Sequence, residues 1–323
     1  MTINRGEEKF RSTGLVVLGM HRSGTSAVMG ALQAMGVFVG DRASLTAPNW
    51  DNPKGFFERK DARRVCDALL QGAGADWWQI ADFRPEEVPQ SLLVDQVAEM
   101  QKVFAELKAA GFWALKEPRL CLLFPLIAPL VEDAGVLLIV RHPVAVGLSL
   151  QKRQGYSLQA GVALWERYNR AAVENSGGRQ VFRLVFEDVV ARPATELAQL
   201  GMELEAWVPG LDIDVEAGIA TIDPKSHHHT SNPELERLLT DEQKHLWHCL
   251  AAGRTPAPWS AEGRRHNRLQ LMDLARVHTA LHEQAMRERD AHRATRAAQK
   301  ELKRLQLRLE HLEAKKSSHE NRN

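Results

Sequence analysis

Cysteine is scarce: Cys66, Cys121 and Cys249 lie far apart in 323 residues and form no CxxC pair. That spacing excludes a disulfide framework and a thiolate zinc site, and it suits a reducing compartment. Long hydrophobic runs are also missing. The longest aliphatic run, Val136–Val140, is far too short to span a bilayer. The N-terminal MTINRGEEKFRSTG contains no apolar stretch of the kind a secretory signal needs. The expectation is a cytoplasmic protein without a membrane span.

Net charge is scarce as well, at +1, but its distribution is uneven. From Gly263 onward there are 15 Lys/Arg against 8 Asp/Glu, while the preceding residues hold 27 against 33. A mildly acidic body carries a basic tail, which points to two segments with different jobs. A hydrophobic fraction of 44% is enough for the core of one large domain. Four parts are expected: a flexible N-terminus over 1–13, a main globular domain over 14–262, a helical coiled-coil tail over 263–316 and a disordered end over 317–323.

What is present centres on Leu15–Met29, LVVLGMHRSGTSAVM. Leu15–Leu18 is an apolar, partly β-branched run, as a strand buried on both faces requires. Gly19 and Gly24 bound a loop, and the residues after it recur at helical spacing. A strand, a glycine-bounded loop and a helix N-terminus together aim N–H groups and partial positive charge at an anion, most often a phosphate. The spacing resembles the nucleotide P-loop G-x-x-x-x-G-K-[ST], but Thr25 stands where the lysine belongs. Arg22, inside the loop, is the nearest cation.

Alternating strands and helices follow, which favours an α/β fold: three layers around a parallel sheet. Further strands are expected at Phe112–Leu115, Val136–Val140 and Val181–Phe186. Helices are expected after the loop and over Arg59–Leu70, Val94–Ala110, Leu120–Glu132, Val144–Lys152, Leu158–Ser176 and Thr195–Met202. Three strand ends carry polar residues that could converge: the loop, then Lys116 and Arg119, then Arg141 with Ser149 eight residues later. A guanidinium is a planar donor fork suited to phosphate oxygens, and a hydroxyl adds a neutral donor.

Arg22, Ser23, Gly24, Thr25 and Ser26 resemble, one by one, the (K/R)-S-G-T-(S/T) loop of the sulfotransferase family. VRHPVAVGLSLQKR resembles that family's second signature, with Arg141 and Ser149 at the family spacing. The resemblance covers roughly Leu15–Pro233. It implies that Arg22–Ser26 hold the 5′-phosphosulfate of 3′-phosphoadenosine 5′-phosphosulfate (PAPS), and that Arg141 and Ser149 hold the 3′-phosphate. PAPS would be the co-substrate, with no metal ion. The order of motifs is closer to the carbohydrate and tyrosyl-protein branch, which implies an acceptor hydroxyl on a glycan or glycolipid.

Three residues are candidates for the chemistry. Glu58, after a loop rich in Pro, Asn and Gly, is the candidate base, with Asp51, Asp61 and Glu117 as competitors. Lys116, in LKEPR, resembles the lysine of the family's K-D-P motif, although Glu117 replaces its aspartate. Lys116 and Arg22 would neutralise charge on the leaving group. His142 reads as structural. The run His227, His228 and His229 has no role fixed by spacing, since adjacent residues cannot easily face one ion, and Lys225 beside it is a candidate phosphate contact.

The rival enzyme class is a P-loop kinase or NTPase. It would want a lysine where Thr25 stands, and an Asp at a strand end where this chain has Arg141. A non-enzymatic assembly module is the third class. It rests on the tail, where positions from Leu274 and Val277 to Leu309 and Leu312 step by three and four as a coiled-coil seam does, with a weak centre at Gln284, Glu288, Ala291 and Thr295. Homo-oligomerisation is expected there. Contact with a membrane surface lacks aromatic anchors, and no nucleic-acid partner is expected.

Overall fold

The computed structural model describes residues 13–47, 55–223 and 233–281, together with 283, 284, 286, 287, 295 and 299. Its centre is a four-stranded parallel sheet in the order β2-β1-β3-β4. The strands are β1 (Gly14–Leu18), β2 (Trp113–Lys116), β3 (Gly135–Val140) and β4 (Val181–Val185). Every residue of β1, β2 and β3 is buried. That is why they read as unbroken apolar runs and not as alternating patterns.

Side chains alternate across the sheet, and β1 feeds two separate cores. Leu15 and Val17 pack on one face with Val28 and Leu32 of α1 (Thr25–Ala34) and Leu197, Leu200 and Leu204 of α8 (Pro193–Trp207). Val16 and Leu18 pack on the other. There they meet Leu69 of α2 (Lys60–Gly72), Phe104 and Leu107 of α3 (Gln90–Ala109), α4 (Leu120–Ile127) and α6 (Leu158–Asn175). Each fully buried Leu or Val on this strand is worth about 2 kcal/mol. The remaining helices are α5 (Pro143–Gln154), α7 (Phe186–Ala191), α9 (Val215–Thr221), α10 (Pro233–Glu236) and α11 (Asp241–Ala251).

The expected helix over Leu120–Glu132 is shorter in the structure. It stops at Ile127 and gives way to a 3₁₀ turn over Ala128–Val131. Proline explains the change. Pro129, in that 3₁₀ turn, has no N–H to continue the α-helical ladder; inside the helix, Pro125 has none for the Cys121 carbonyl one turn earlier. Asn175 Nδ2 donates to that carbonyl instead, at 2.8 Å.

A final helix runs over residues 261–281. Its first turns belong to the sheet domain: Leu271 and Leu274 are buried in the core, and Asn267 Nδ2 donates to the Ala163 carbonyl at 2.9 Å. Contacts divide the chain into Met1–Leu274 and Ala275–Asn323. In the second unit Val277 and Leu281 are each 57% exposed, which leaves that stretch of the seam uncovered. Most of the seam beyond them, and Asp51, Lys225 and His227–His229, lie outside the described residues. Among the described residues, no helix is long and apolar enough to cross a membrane.

Candidate active site

The site sits where β1, β2 and β3 end side by side. Leaving β1, the chain turns through Gly19–Gly24 into α1. Gly24 has φ 81, and a Cβ on it would lie 2.0 Å from the Phe186 ring, so only glycine fits. A Cβ on Gly19 would meet the Ile139 carbonyl at 2.7 Å. Arg22 also takes a left-handed backbone, φ 70, without glycine's freedom. No side chain caps α1, and its first turn holds no acid. Its leading N–H groups are therefore left for a ligand. The Ser23 hydroxyl is buried and, among the described residues, has no hydrogen-bond partner.

From β3 comes Arg141, whose Nη1 donates to the Arg22 carbonyl at 2.9 Å. Its guanidinium carbon lies 4.9 Å from the Phe186 ring centre. The ring that excludes a side chain at Gly24 thus also supports Arg141. Trp165 Nε1 on α6 donates to the Arg141 carbonyl at 2.9 Å and fixes the strand end. Ser149, on α5, accepts from Arg22 Nε at 2.8 Å. The two motifs, 127 positions apart at this bond, share one hydrogen-bond network. Burial lowers the pKa of Arg141, Glu187 raises it and Arg22 lowers it again, yet an arginine stays charged.

From β2 comes Lys116, 1% exposed, with Nζ 2.7 Å from Glu58 Oε1 and 3.4 Å from Ser26 Oγ. Glu58 is not in a helix. It lies in an extended segment ahead of α2, held by Thr46 N donating to its carbonyl at 2.8 Å. Phe57 just before it adopts φ 54. Among the described residues, Glu58 Oε2 has no hydrogen-bond partner. Asp61 is engaged by Arg59 Nη2 at 2.7 Å, and Glu117 by Arg119 Nη1 at 2.7 Å. Arg119 also pairs with Asp67 at 2.8 Å, so it braces the β2 exit. Burial raises the pKa of Glu117, and Arg119 opposes that shift. His142 caps α5, with Nδ1 accepting from Val144 N at 3.3 Å.

Of these residues, Arg22, Gly24, Thr25, Ser26, Glu58 and Arg141 line a cleft of about 210 Å³, and Lys116 and Ser149 join it through their bonds to Glu58 and Arg22. It includes two cationic or titratable groups that the sequence reading passed over, His21 and Arg153. Arg153 lies four residues after Ser149, on the same face of α5, and helical periodicity alone points to it. His21 precedes Arg22 directly. Its ring lies 4.8 Å from Trp77 and 5.8 Å from Tyr168. Burial holds its pKa well below the usual 6.5, and Arg119, Lys116, Arg153 and Arg22 push the same way. The imidazole is neutral, and its buried Nε2 has no partner among the described residues. Among the described residues, no cluster of His, Cys, Asp and Glu could hold a metal ion.

The family model described as "Sulfotransferase family" matches residues 14–206, more than half of the chain and all of this site. The chain belongs to the sulfotransferase family. Solved structures similar to it carry low identity. The sulfotransferase domain of the Synechococcus PCC 7002 olefin synthase is 17% identical, with 81% of this chain and 93% of that chain covered and a TM-score of 0.40. Sulfotransferase STF1 of Mycobacterium tuberculosis H37Rv is 14% identical, covering 75% and 77%, with a TM-score of 0.43. A sulfotransferase from Alicyclobacillus acidocaldarius is 15% identical, covering 75% and 96%, with a TM-score of 0.37. No curated protein matches the chain. This sulfotransferase therefore has its activity class from the family, and the cleft at the loop is where its chemistry is to be sought.

Proposed function

We propose that this sulfotransferase uses PAPS and sulfates a hydroxyl of a glycan or glycolipid. One observation carries the donor reading: the loop at α1 and Arg141 line one cationic cleft, and the Arg22–Ser149 bond ties Ser149 to it. The orphaned Ser23 hydroxyl and the uncapped helix start fit a phosphate group. The donor supplies an activated sulfuryl group on a phosphate leaving group. Arg22–Ser26 would hold its 5′ end, and Arg141 and Ser149 its 3′-phosphate. The glycan or glycolipid acceptor rests on the order of motifs alone.

The chain's residues divide the work. As the acceptor oxygen bonds to sulfur, its proton passes to the Glu58 carboxylate. The bond from sulfur to the bridging phosphate oxygen breaks, and Lys116 and Arg22 neutralise the charge left there. Lys116 also holds Glu58 in place through Oε1, which leaves Oε2 to take the proton. No step calls on a metal ion.

Titration with adenosine 3′,5′-bisphosphate tests the donor reading. The wild type binds it and Arg141→Ala binds far more weakly; no binding by wild type ends the assignment. A screen with labelled PAPS and candidate polysaccharides tests the acceptor. We further propose assembly through the C-terminal helix and a cytoplasmic location, the latter resting on three buried free thiols. Equal monomeric mass for the full chain and a chain ending after Leu274 would reject the assembly.

A further inference from the structure

A second, larger cleft lies apart from the loop. Its volume is about 750 Å³, within the range of small-molecule sites, and it shares no lining residue with the first. Its walls are the 81–87 segment, one face of α6, the 256–259 segment and the start of the final helix. Five arginines line it against three acids. Two of those arginines are already engaged: Arg268 with Asp82, and Arg170 with Glu166 and Glu242. Arg84, Arg167 and Arg264 have no carboxylate within ion-pair distance among the described residues. Arg167 is half-buried, and among the described residues it makes one hydrogen bond, from Nη2 to the Phe83 carbonyl at 3.0 Å. A guanidinium has five N–H donors, so most of its capacity is unused.

These charges also crowd one another. Burial lowers the pKa of both Arg167 and Arg170; Glu174 opposes this at Arg167, Glu166 and Glu242 oppose it at Arg170, and Arg264 lowers each further. Like charges held together in a half-desolvated wall cost free energy, and a bound anion removes that cost. Apart from Asn267, the rest of the lining is apolar or aromatic. Phe83 and Val173 lie beside Trp259, whose ring centre is 5.1 Å from the Arg170 guanidinium carbon.

We propose that this cleft is a binding site for an organic anion, with a flat apolar body against Phe83, Val173 and Trp259 and an acidic head on Arg167 and Arg264. The site stands independently of the donor reading. Guanidiniums offer paired donors that match carboxylate, sulfate and phosphate heads alike. The head's chemistry is a planar or tetrahedral oxyanion, and the body distinguishes the ligand from an inorganic ion.

Calorimetric titration of the full chain with 2-naphthyl sulfate tests this, with uncharged 2-naphthol as the control. The sulfate ester binds wild type, and saturating adenosine 3′,5′-bisphosphate leaves that binding unchanged. Arg167→Gln and Arg264→Gln each weaken it about tenfold, and 2-naphthol binds at least as weakly as these variants bind the ester. Arg264 is exposed, so its variant folds even if replacement of Arg167 disturbs α6. Three results would overturn the site: no binding by wild type, equal affinity for 2-naphthol, or displacement by the nucleotide with Arg264→Gln unaffected. The last would place the probe in the donor cleft.

Discussion

Arg22 Nε donates to Ser149 Oγ at 2.8 Å, so residues assigned to opposite ends of one donor hold each other. The bond ties the α1 loop to α5. On the proposed reading, the donor's phosphates replace it on both sides. Ser149→Ala removes a donor from the phosphate and the anchor from Arg22. Adenosine 3′,5′-bisphosphate is then expected to bind about tenfold more weakly, in line with a lost hydrogen bond to a charged group. Unchanged affinity by calorimetry would detach Ser149 from the site.

Glu58 and Lys116 form a nearly closed ion pair, 13% and 1% exposed. Glu58→Gln keeps the shape and loses the proton acceptor. Turnover is expected to fall about 10²–10⁴-fold while nucleotide binding persists. Near-normal turnover would rule Glu58 out as the base. Glu58→Ala goes further and strands the Lys116 ammonium, at a cost of about 3–5 kcal/mol. Denaturant unfolding reads that cost directly, and a change under 1 kcal/mol (roughly the worth of a surface pair) would show that the pair is open to solvent.

His21 makes the fold sensitive to acid. Burial, then four neighbouring cations, hold its pKa well below the ordinary 6.5. Below about pH 6.5 the unfolded chain takes up a proton there that the folded protein does not. Its contribution is complete above that value and is lost as pH falls through the region beneath it. His21→Asn is expected to show a smaller drop in urea midpoint between about pH 7.5 and about pH 5.5 than wild type does. An identical drop in both would assign the acid sensitivity elsewhere.

Gly24 and Phe186 are coupled by space. Gly24→Ala forces a Cβ into the ring at a positive φ, and a loss of about 1–3 kcal/mol is expected. Phe186→Leu removes part of the obstacle and also the support under Arg141. The double variant should therefore recover stability relative to Gly24→Ala while nucleotide affinity stays low. Additive losses in stability would mean that backbone conformation alone sets the cost.

The strands were legible because buried parallel strands read as unbroken apolar runs; Val136–Val140 lies within β3 almost residue for residue. Helix ends were harder. Asn175, which satisfies the carbonyl freed by Pro125, is fifty-four positions from it, and no local signal announces such a partner. At the site, the loop and the Arg141–Ser149 spacing were local patterns and could be read. Arg119 could not be told from Lys116, since both follow the same strand. Only folding shows that Lys116 turns to Glu58 while Arg119 turns to Glu117 and Asp67. His21 was hidden for another reason: its neutrality comes first from burial, then from cations at the β2 exit and on α5 as well as from the adjacent Arg22.

The strand order sets a gauge. With β1 between β2 and β3, the exits that carry Lys116 and Arg141 stand two ladder steps apart, about 10 Å at the backbone. Hydrogen bonds of the buried sheet maintain that interval, and no side chain of the cleft can alter it. Substitutions around the rim can change what the protein accepts, but the span between its two cationic strand ends is built into the sheet.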